Sequence, residues 1–394
     1  MKKILALLLS LTMVVALVAC GENSTPTPSN NSASNEGTTE IVIGVMEDIT
    51  GSTGQQGTGA QKGIEDMAAE INESGGIGGK IKIRLVEYDI KGDVTESINA
   101  YKRLCEQDKA NVVIGPHISN IGIALAPLSD IYKVPIVGAY VDDSCVLNDA
   151  GEAYRYMYIS QPSASQQATL IANFAMETLG AKNFAVLYNS GNSYAISHVT
   201  PFMEYVEAKG CKIVAAESFA DSDTDYRTQL TKILSTKPDA IYFPNYPAQI
   251  PLCVQQSREV GLTCDILGGN GFIPNVYLAG EAAENNTYFP YNIAYDDDAI
   301  LTYNNEFVAK HGFETNAQTY VAMDALSCIV AAVEKCNSIN SEDLTDALSG
   351  IQVKGWMGNF TLSADTHMPV GLPMAILNVV DGKPCTVELC ETIS

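Results

Sequence analysis

The stretch IVIGVMEDITGSTGQQGTGAQKGIEDMAAEIN, residues 41–72, carries the pattern from which the fold is predicted. It opens with the apolar, β-branched run Ile41–Met46, passes through a Gly-rich loop and continues as an amphipathic segment that ends at Gly75. A strand, a loop and a helix closed by a Gly cap make one βα unit. The glycines of residues 54–63 do not fit G-x-G-x-x-G, and the loop is too long for a nucleotide turn, so dinucleotide binding is set aside.

The same alternation of short apolar runs and longer amphipathic segments continues through most of the chain, and it predicts an α/β fold with parallel sheets covered by helices. Further helix ends are indicated by Gly180, Gly210, Gly261 and Gly312. The predicted strands are 41–46, 80–89, 111–115 and 134–139 in the first half, and 183–189, 211–219, 239–244 and 264–268 in the second.

The N-terminus has the layout of an export signal: two lysines, an apolar run from Ile4 to Ala19, and then Cys20. Residues 17–20, LVAC, resemble a bacterial lipobox, which implies a lipid on Cys20; a plain secretory signal with an incidental Cys is the alternative. Residues 21–39 are rich in Ser, Thr, Asn, Gly and Pro, so they indicate a flexible tether. We therefore expect a signal peptide at 1–19, a linker at 20–39, and an extracytoplasmic protein held at the membrane without a transmembrane helix.

Composition excludes several classes of protein. The chain has 46 acidic and 23 basic side chains, a net charge of −23, which argues against nucleic acid as a partner. The ten Cys and four His residues show no metal-ligand spacing, so we expect no metal and no cofactor. A local bridge between Cys385 and Cys390 stays open. No nucleophile elbow, P-loop or HExxH occurs, so nothing argues for an enzyme.

The length after the linker predicts two lobes rather than one core. Tyrosine-rich stretches at 153–160 and 287–295 mark two passages between the lobes, and a third is expected near Asp365. Three passages would make a hinge that closes over a ligand. We place the first lobe at 40–158 plus 290–364 and the second at 159–289 plus 365–394.

Five segments in a fixed order resemble the leucine/isoleucine/valine-binding family of periplasmic binding proteins. They are residues 41–72, GGIGGKIKIRLVEYD (75–89), NVVIGPHIS (111–119), DTDYRTQLTKILSTKPDAIYF (223–243) and GWMGNFTLSADTH (355–367). The resemblance implies two Rossmann-like lobes joined by three hinge strands, and the capture of a solute for an ABC permease. It implies no catalytic residues.

In the first lobe, Ser119 precedes the predicted helix Asn120–Tyr132, so it either only caps that helix or also holds an anion there. The resemblance implies the second role, with a ligand carboxylate. It also makes the segment after the fourth strand a ligand loop, where Asp142 either pairs with an ammonium group or is a solvated acid. The remaining first-lobe candidates are Gln56, His117, Ala139, Tyr140 and Gln318.

In the second lobe, Tyr194 and Tyr246 stand where the resemblance implies ligand-contacting tyrosines, although both could simply pack in the cleft wall. Asn270 replaces an acid that members binding aliphatic amino acids use for the ammonium group. With His117 and Gln318, this departure predicts a pocket more polar than one built for leucine. The expected protein is a monomeric importer component for an amino acid or related polar solute; the alternative is a sensory ligand-binding protein.

Overall fold

The computed structural model describes residues 39–392, apart from Pro274 and Asn285. The expected signal peptide, Cys20 and most of the linker lie outside the described residues. Within the described part, no helix combines the length and the apolar character needed to cross a bilayer.

The strands follow in chain order. They are β1 (Thr39–Glu47), β2 (Ile81–Asp89), β3 (Val112–Ile114), β4 (Ile136–Gly138), β5 (Met157–Ile159), β6 (Asn183–Asn189), β7 (Lys212–Phe219), β8 (Ala240–Phe243), β9 (Asp265–Gly268), β10 (Thr287–Tyr291), β11 (Gln352–Lys354), β12 (Asn359–Leu362), β13 (Pro369–Val370), β14 (Pro373–Val380) and β15 (Lys383–Glu391).

Helices connect most of these strands. They are α1 (Gly54–Glu73), α2 (Val94–Glu106), α3 (Ser119–Tyr132), α4 (Ala164–Glu177), α5 (Ser193–Ala208), α6 (Arg227–Thr236), α7 (Ile250–Glu259), α8 (Asp298–His311), α9 (Ala317–Cys336) and α10 (Ser341–Leu348), with 3-10 turns at Asp143–Cys145, Asn270–Phe272 and Asn275–Ala283.

Two large sheets form the two lobes. The first has the order β2-β1-β3-β4-β5 and is parallel throughout. The second has the order β15-β14-β10-β9-β8-β6-β7; its strands from β10 to β7 are parallel, whereas β14 and β15 add an antiparallel edge. The predicted α/β class with two lobes is confirmed.

The chain passes between the two sheets three times. It leaves the first sheet after β5, returns after β10 to build α8, α9 and α10, and goes back after the small antiparallel sheet β11-β12-β13 to enter β14. The passages at residues 160–163, 292–297 and 371–372 are therefore the connections between the lobes. Rotation about three such segments is a hinge motion.

Local chemistry explains where the elements begin and end. Asp93 and Asn192 accept hydrogen bonds from backbone N–H groups in the first turns of α2 and α5, which satisfies donors that a helix start leaves free. Gly312 ends α8 with φ 81°, a left-handed conformation that costs glycine little. The central strands β3, β4 and β8 are buried along their whole length, as parallel strands covered on both faces require.

Candidate functional site

A cavity of about 50 Å³ lies between the two sheets, beyond the carboxyl ends of their parallel strands. This is the edge of an open α/β sheet at which ligands bind. The volume is room for roughly four water molecules, so the cleft in this conformation takes only a small solute. The walls are Thr53, Gln56, His117, Ala139, Val141, Gln161, Tyr194, Tyr246, Pro247, Asn270, Gly271, Ile273, Asn316, Ala317 and Gln318.

Seven of the residues proposed from the sequence therefore lie together in the cavity wall. Those on the side of the first sheet are Gln56, His117, Ala139 and Gln318, and those on the side of the second sheet are Tyr194, Tyr246 and Asn270. Each follows a strand or begins a helix at the cleft edge. The cavity is thus made by both lobes, which is the arrangement that a closing clamp requires.

His117 is the centre of a chain of buried polar groups at the end of β1. Its Nδ1 lies 2.5 Å from Glu47 Oε2, and its Nε2 lies 2.8 Å from Thr53 Oγ1. The Thr53 hydroxyl donates to Asp48 Oδ2 at 2.7 Å, so Nε2 carries a proton and donates to Thr53 Oγ1. Burial raises the pKa of Glu47, and His117 opposes that rise. The Glu47–His117 pair has no net charge, whichever partner holds the shared proton.

A network of side-chain amides closes the bottom of the cleft. Asn270 Nδ2 donates to Gln161 Oε1 at 3.0 Å and to Asn292 Oδ1 at 3.4 Å, while Asn292 Nδ2 donates to the same Gln161 oxygen at 3.0 Å. Gln161 in turn donates to the backbone carbonyl of Ala139. Gln161 and Asn292 stand on the first two connections between the lobes, so the network links the hinge to the ligand cavity.

Two tyrosines form the second-lobe wall. The rings of Tyr194 and Tyr246 stack with centroids 5.1 Å apart, and the Tyr194 hydroxyl donates to Asn270 Oδ1 at 3.1 Å. The Tyr246 hydroxyl is buried and faces the backbone N–H of Ser119, but it makes no hydrogen bond of normal geometry. Burial raises the pKa of both phenols, so both are neutral donors at neutral pH.

Gln318 presents an unsatisfied acceptor to the cavity. It is the second residue of α9, and its Oε1 is buried with no hydrogen-bond partner. Asn316 caps the same helix by accepting from the N–H groups of Gln318 and Thr319 at 2.9 and 3.3 Å. The helix start is therefore satisfied within the protein, and Gln318 Oε1 remains for a ligand.

Three proposed residues lie outside the cavity wall. Ser119 is the first residue of α3 and Ile118 is its N-cap, so the expectation that Ser119 caps the helix was off by one residue. Its hydroxyl instead lies 3.4 Å from the N–H of Asp142. The Asp142 carboxylate accepts from the N–H of Ser144 at 2.9 Å and caps the 3-10 turn, and burial raises its pKa. Tyr140 is fully buried behind Ala139.

Sequence reasoning did not single out Gln161, Val141, Ile273 or the Glu47–His117 pair. One signal was available for the pair, because Glu47 and Asp48 directly follow the apolar run Ile41–Met46, where a ligand edge was expected. Gln161 gave a weaker signal, a polar residue between the apolar end of β5 and Pro162. Its importance comes from partners 109 and 131 residues away along the chain.

Comparison with known proteins gives a family. A family model described as "Periplasmic binding protein" matches residues 40–384. A curated "Amino acid binding protein" of Pseudomonas aeruginosa is 26% identical over 234 residues, which are 59% of this chain and 61% of that protein. This chain thus aligns with somewhat less than two thirds of that relative. The "Leu/Ile/Val-binding protein homolog 3" of Brucella melitensis is 25% identical over 82% of this chain and 87% of its own length.

Solved structures share the fold. The branched-chain amino acid transporter substrate-binding protein LivJ of Streptococcus pneumoniae, in complex with isoleucine, superposes with a TM-score of 0.78 at 27% identity, over 90% of this chain and 99% of that chain. A solute-binding protein of an ABC transporter from Rhodopseudomonas palustris BisB5, in complex with 3,4-dihydroxybenzoic acid, gives 0.77 at 18% identity, over 90% and 98%.

Proposed function

This chain belongs to the periplasmic binding protein family, of the leucine/isoleucine/valine-binding type, and on that premise we propose that it captures an amino-acid-sized solute for an ABC importer. Family membership supports a location outside the cytoplasm and a role as a binding protein rather than an enzyme, with a small-molecule ligand and an ABC permease as its partners. We propose a branched-chain amino acid or a more polar analogue as the solute, held by a monomer.

One observation carries this proposal: a single small cavity receives side chains from both lobes at the carboxyl ends of the parallel strands. His117 and Gln318 approach from one side, and Tyr246 and Asn270 from the other. A solute bound there touches both lobes and so favours the closed arrangement over an open one. The lobes that we propose comprise 40–158 with 290–364, and 159–289 with 365–394.

Closure of the lobes on ligand tests the proposal. The solute is first identified by mass spectrometry of whatever small molecule co-purifies with the protein, and is then removed and added back. We expect the saturated protein to have a smaller radius of gyration by small-angle scattering and a higher melting temperature, because the solute binds the folded state selectively. Identical scattering profiles with and without saturating solute would contradict a clamp.

We also propose that Cys20 is lipidated and anchors the protein. The support is the apolar run that ends at Cys20 and the polar tether behind it. Replacing Cys20 with Ala should release the protein from the membrane fraction of its cells, while Ser24→Ala in the tether should leave it bound. A Cys20→Ala protein that still sediments with membranes would show that another element holds it.

A further inference from the structure

We propose that the cleft is built for a solute with an uncharged head group, a small carboxamide rather than a free amino acid. This inference rests on the proposed function and names the chemistry of its ligand. The first support is the charge of the wall: among the described residues that line the cavity there is no Asp, Glu, Lys or Arg. The lining residue His117 is paired with Glu47, and this pair is neutral as a whole.

The second support is that the acceptor oxygens of the amide network are already hydrogen-bonded within the protein. The oxygen of Asn270 is taken by the Tyr194 hydroxyl, and its nitrogen donates to Gln161 and Asn292. The Ala139 carbonyl is taken by Gln161. An ammonium ion buried here would meet no carboxylate in the wall itself, because Asp48 lies behind Thr53 and accepts from Thr53 and from the N–H of Gly51. Burying an ammonium ion without a contacting counter-charge costs far more than burying a neutral amide that finds partners.

The third support is that the nearby acid is turned away. The Asp142 carboxylate caps the turn at Asp143–Cys145 through the N–H of Ser144 and does not line the cavity. The wall suits a carboxylate group no better than it suits an ammonium group. The start of α3, which would attract an anion, is faced by the Tyr246 hydroxyl from the other lobe.

Two unsatisfied atoms indicate what the head group must offer. Gln318 Oε1 is a buried acceptor without a partner, and the Tyr246 hydroxyl is buried without a hydrogen bond. Buried polar groups are almost always paired in the functional state, so the ligand should supply an N–H donor to Gln318 and an acceptor to Tyr246. A carboxamide carries both without a net charge. Val141, Ile273 and Ala317 leave an apolar surface for a short aliphatic chain.

Four compounds on one carbon skeleton test the inference by isothermal titration at neutral pH. They are 3-methylbutanamide (neutral), 3-methylbutanoate (anion), 3-methylbutan-1-amine (cation) and valine (zwitterion). We expect the amide to bind at least about tenfold more tightly than each of the others, because only it pairs the free polar atoms without leaving a buried charge. If valine binds as tightly as the amide, or the amide does not bind at millimolar concentration, the inference is overturned.

A charge placed in the wall provides a second arm. Gln318→Glu adds a carboxylate at the second position of α9, where the helix dipole tolerates it, so folding should be preserved. The variant should bind the amine at least about tenfold more tightly, because the new carboxylate supplies the counter-charge that the wall lacks. The amide can still donate its N–H to a carboxylate oxygen, so its affinity should change less. Gln352→Glu, the same change at an exposed position of β11, should alter neither affinity. An unchanged affinity for the amine in Gln318→Glu would also overturn the inference.

The two levels of the proposal fail separately. If valine binds tightly and closes the lobes, the inference about the head group is wrong and the transport function stands. If the co-purified solute neither closes the lobes nor raises the melting temperature, the clamp itself is wrong, and the head-group inference falls with it.

Discussion

Glu47 is a deeply buried acid near the cavity, and among the described residues the only hydrogen-bonded partner of its carboxylate is His117. The contact joins Glu47 Oε2 and His117 Nδ1 at 2.5 Å, with the glutamate side chain 1% and the histidine 6% exposed. Its second oxygen has no partner. A buried pair of this kind contributes little net stability, but loss of one member leaves the other uncompensated.

Replacement of Glu47 tests this pair. Glu47→Ala should lower the free energy of unfolding by about 3–5 kcal/mol, because His117 Nδ1 is left buried without a partner. Glu47→Gln should cost less, about 1–3 kcal/mol, because an amide can still donate to Nδ1 of a neutral His117 whose Nε2 donates to Thr53. Urea unfolding of the three proteins measures the order. Equal losses in the two variants would show that hydrogen bonding to His117 is unimportant.

The sequence located the cleft better than it located the side chains. Residues just after strands were expected in the wall, and His117, Ala139, Tyr246 and Asn270 are there. For Asp142 the same reasoning did not foresee where the carboxylate points, since a backbone N–H two residues away competes for it. Such local capping is common for Asp and cannot be separated from ligand binding by position alone.

At the scale of elements, the periodicity of the sequence was a good guide to parallel strands and a poor one to the end of the chain. The predicted strand 183–189 agrees with β6, and the predicted helix Asn120–Tyr132 agrees with α3 except for its first residue. The long hairpin of β14 and β15 was not anticipated in full. Its outer strand is mostly exposed, with few buried positions to mark a period.

The hairpin also decides the question of a local disulfide. Cys385 and Cys390 both lie on β15. Five residues of one strand separate their Cα atoms by roughly 16 Å. A disulfide spans only about 4.4–6.8 Å between Cα atoms, so these two thiols cannot bridge within the strand.

The loop between β11 and β12 gives the element-scale prediction. Asp324 on α9 is fully buried and accepts from the N–H groups of Trp356 and Met357 at 2.5 and 3.1 Å. Burial raises its pKa from 3.8 to about 7, against the effect of these two bonds. Because the folded-state pKa is the higher one, the contribution to stability is present below pH 3.8 and is lost as the pH rises through about 7.

Asp324→Asn should therefore remove part of the fall in unfolding free energy between pH 4 and pH 8, since an amide does not titrate. It should also be less stable at low pH, by about 1–3 kcal/mol, because the amide NH₂ would face a backbone donor. The difference between parent and variant, measured by urea unfolding across this range, isolates Asp324 from other acids. A difference that does not change with pH would place the pKa of Asp324 near its ordinary value.

In the whole molecule, the two lobes also contact each other outside the hinge segments. Val141 from the first lobe packs with Ala164, Tyr194 and Tyr246 in one small apolar cluster. Asn120, at the start of α3, accepts from the backbone N–H of Ser193 at 3.3 Å and from its hydroxyl. These contacts cross the mouth of the cleft, so they exist only while the lobes are together. No local pattern could have predicted them, since Asn120 and Ser193 are 73 residues apart.

The hydrogen bonds between Asn120 and Ser193 should slow release of the solute. Asn120→Ala removes both hydrogen bonds, so it should weaken binding of the co-purified solute by about 0.5–1.5 kcal/mol, mainly through faster release. Ser193→Ala keeps the backbone N–H as a donor, so it should reduce the binding free energy by less than Asn120→Ala does. The double variant should bind the solute no more weakly than Asn120→Ala, since the two side chains share one interaction.

Asn305→Ala, an exposed change on α8, is the control. Titration and stopped-flow release measure the effect, and small-angle scattering of the liganded Asn120→Ala protein should still show closed lobes. If Asn120→Ala releases the solute at the parental rate, the hydrogen bonds between Asn120 and Ser193 do not stabilise the closed cleft. Closure would then depend on the solute and on the apolar cluster around Tyr246.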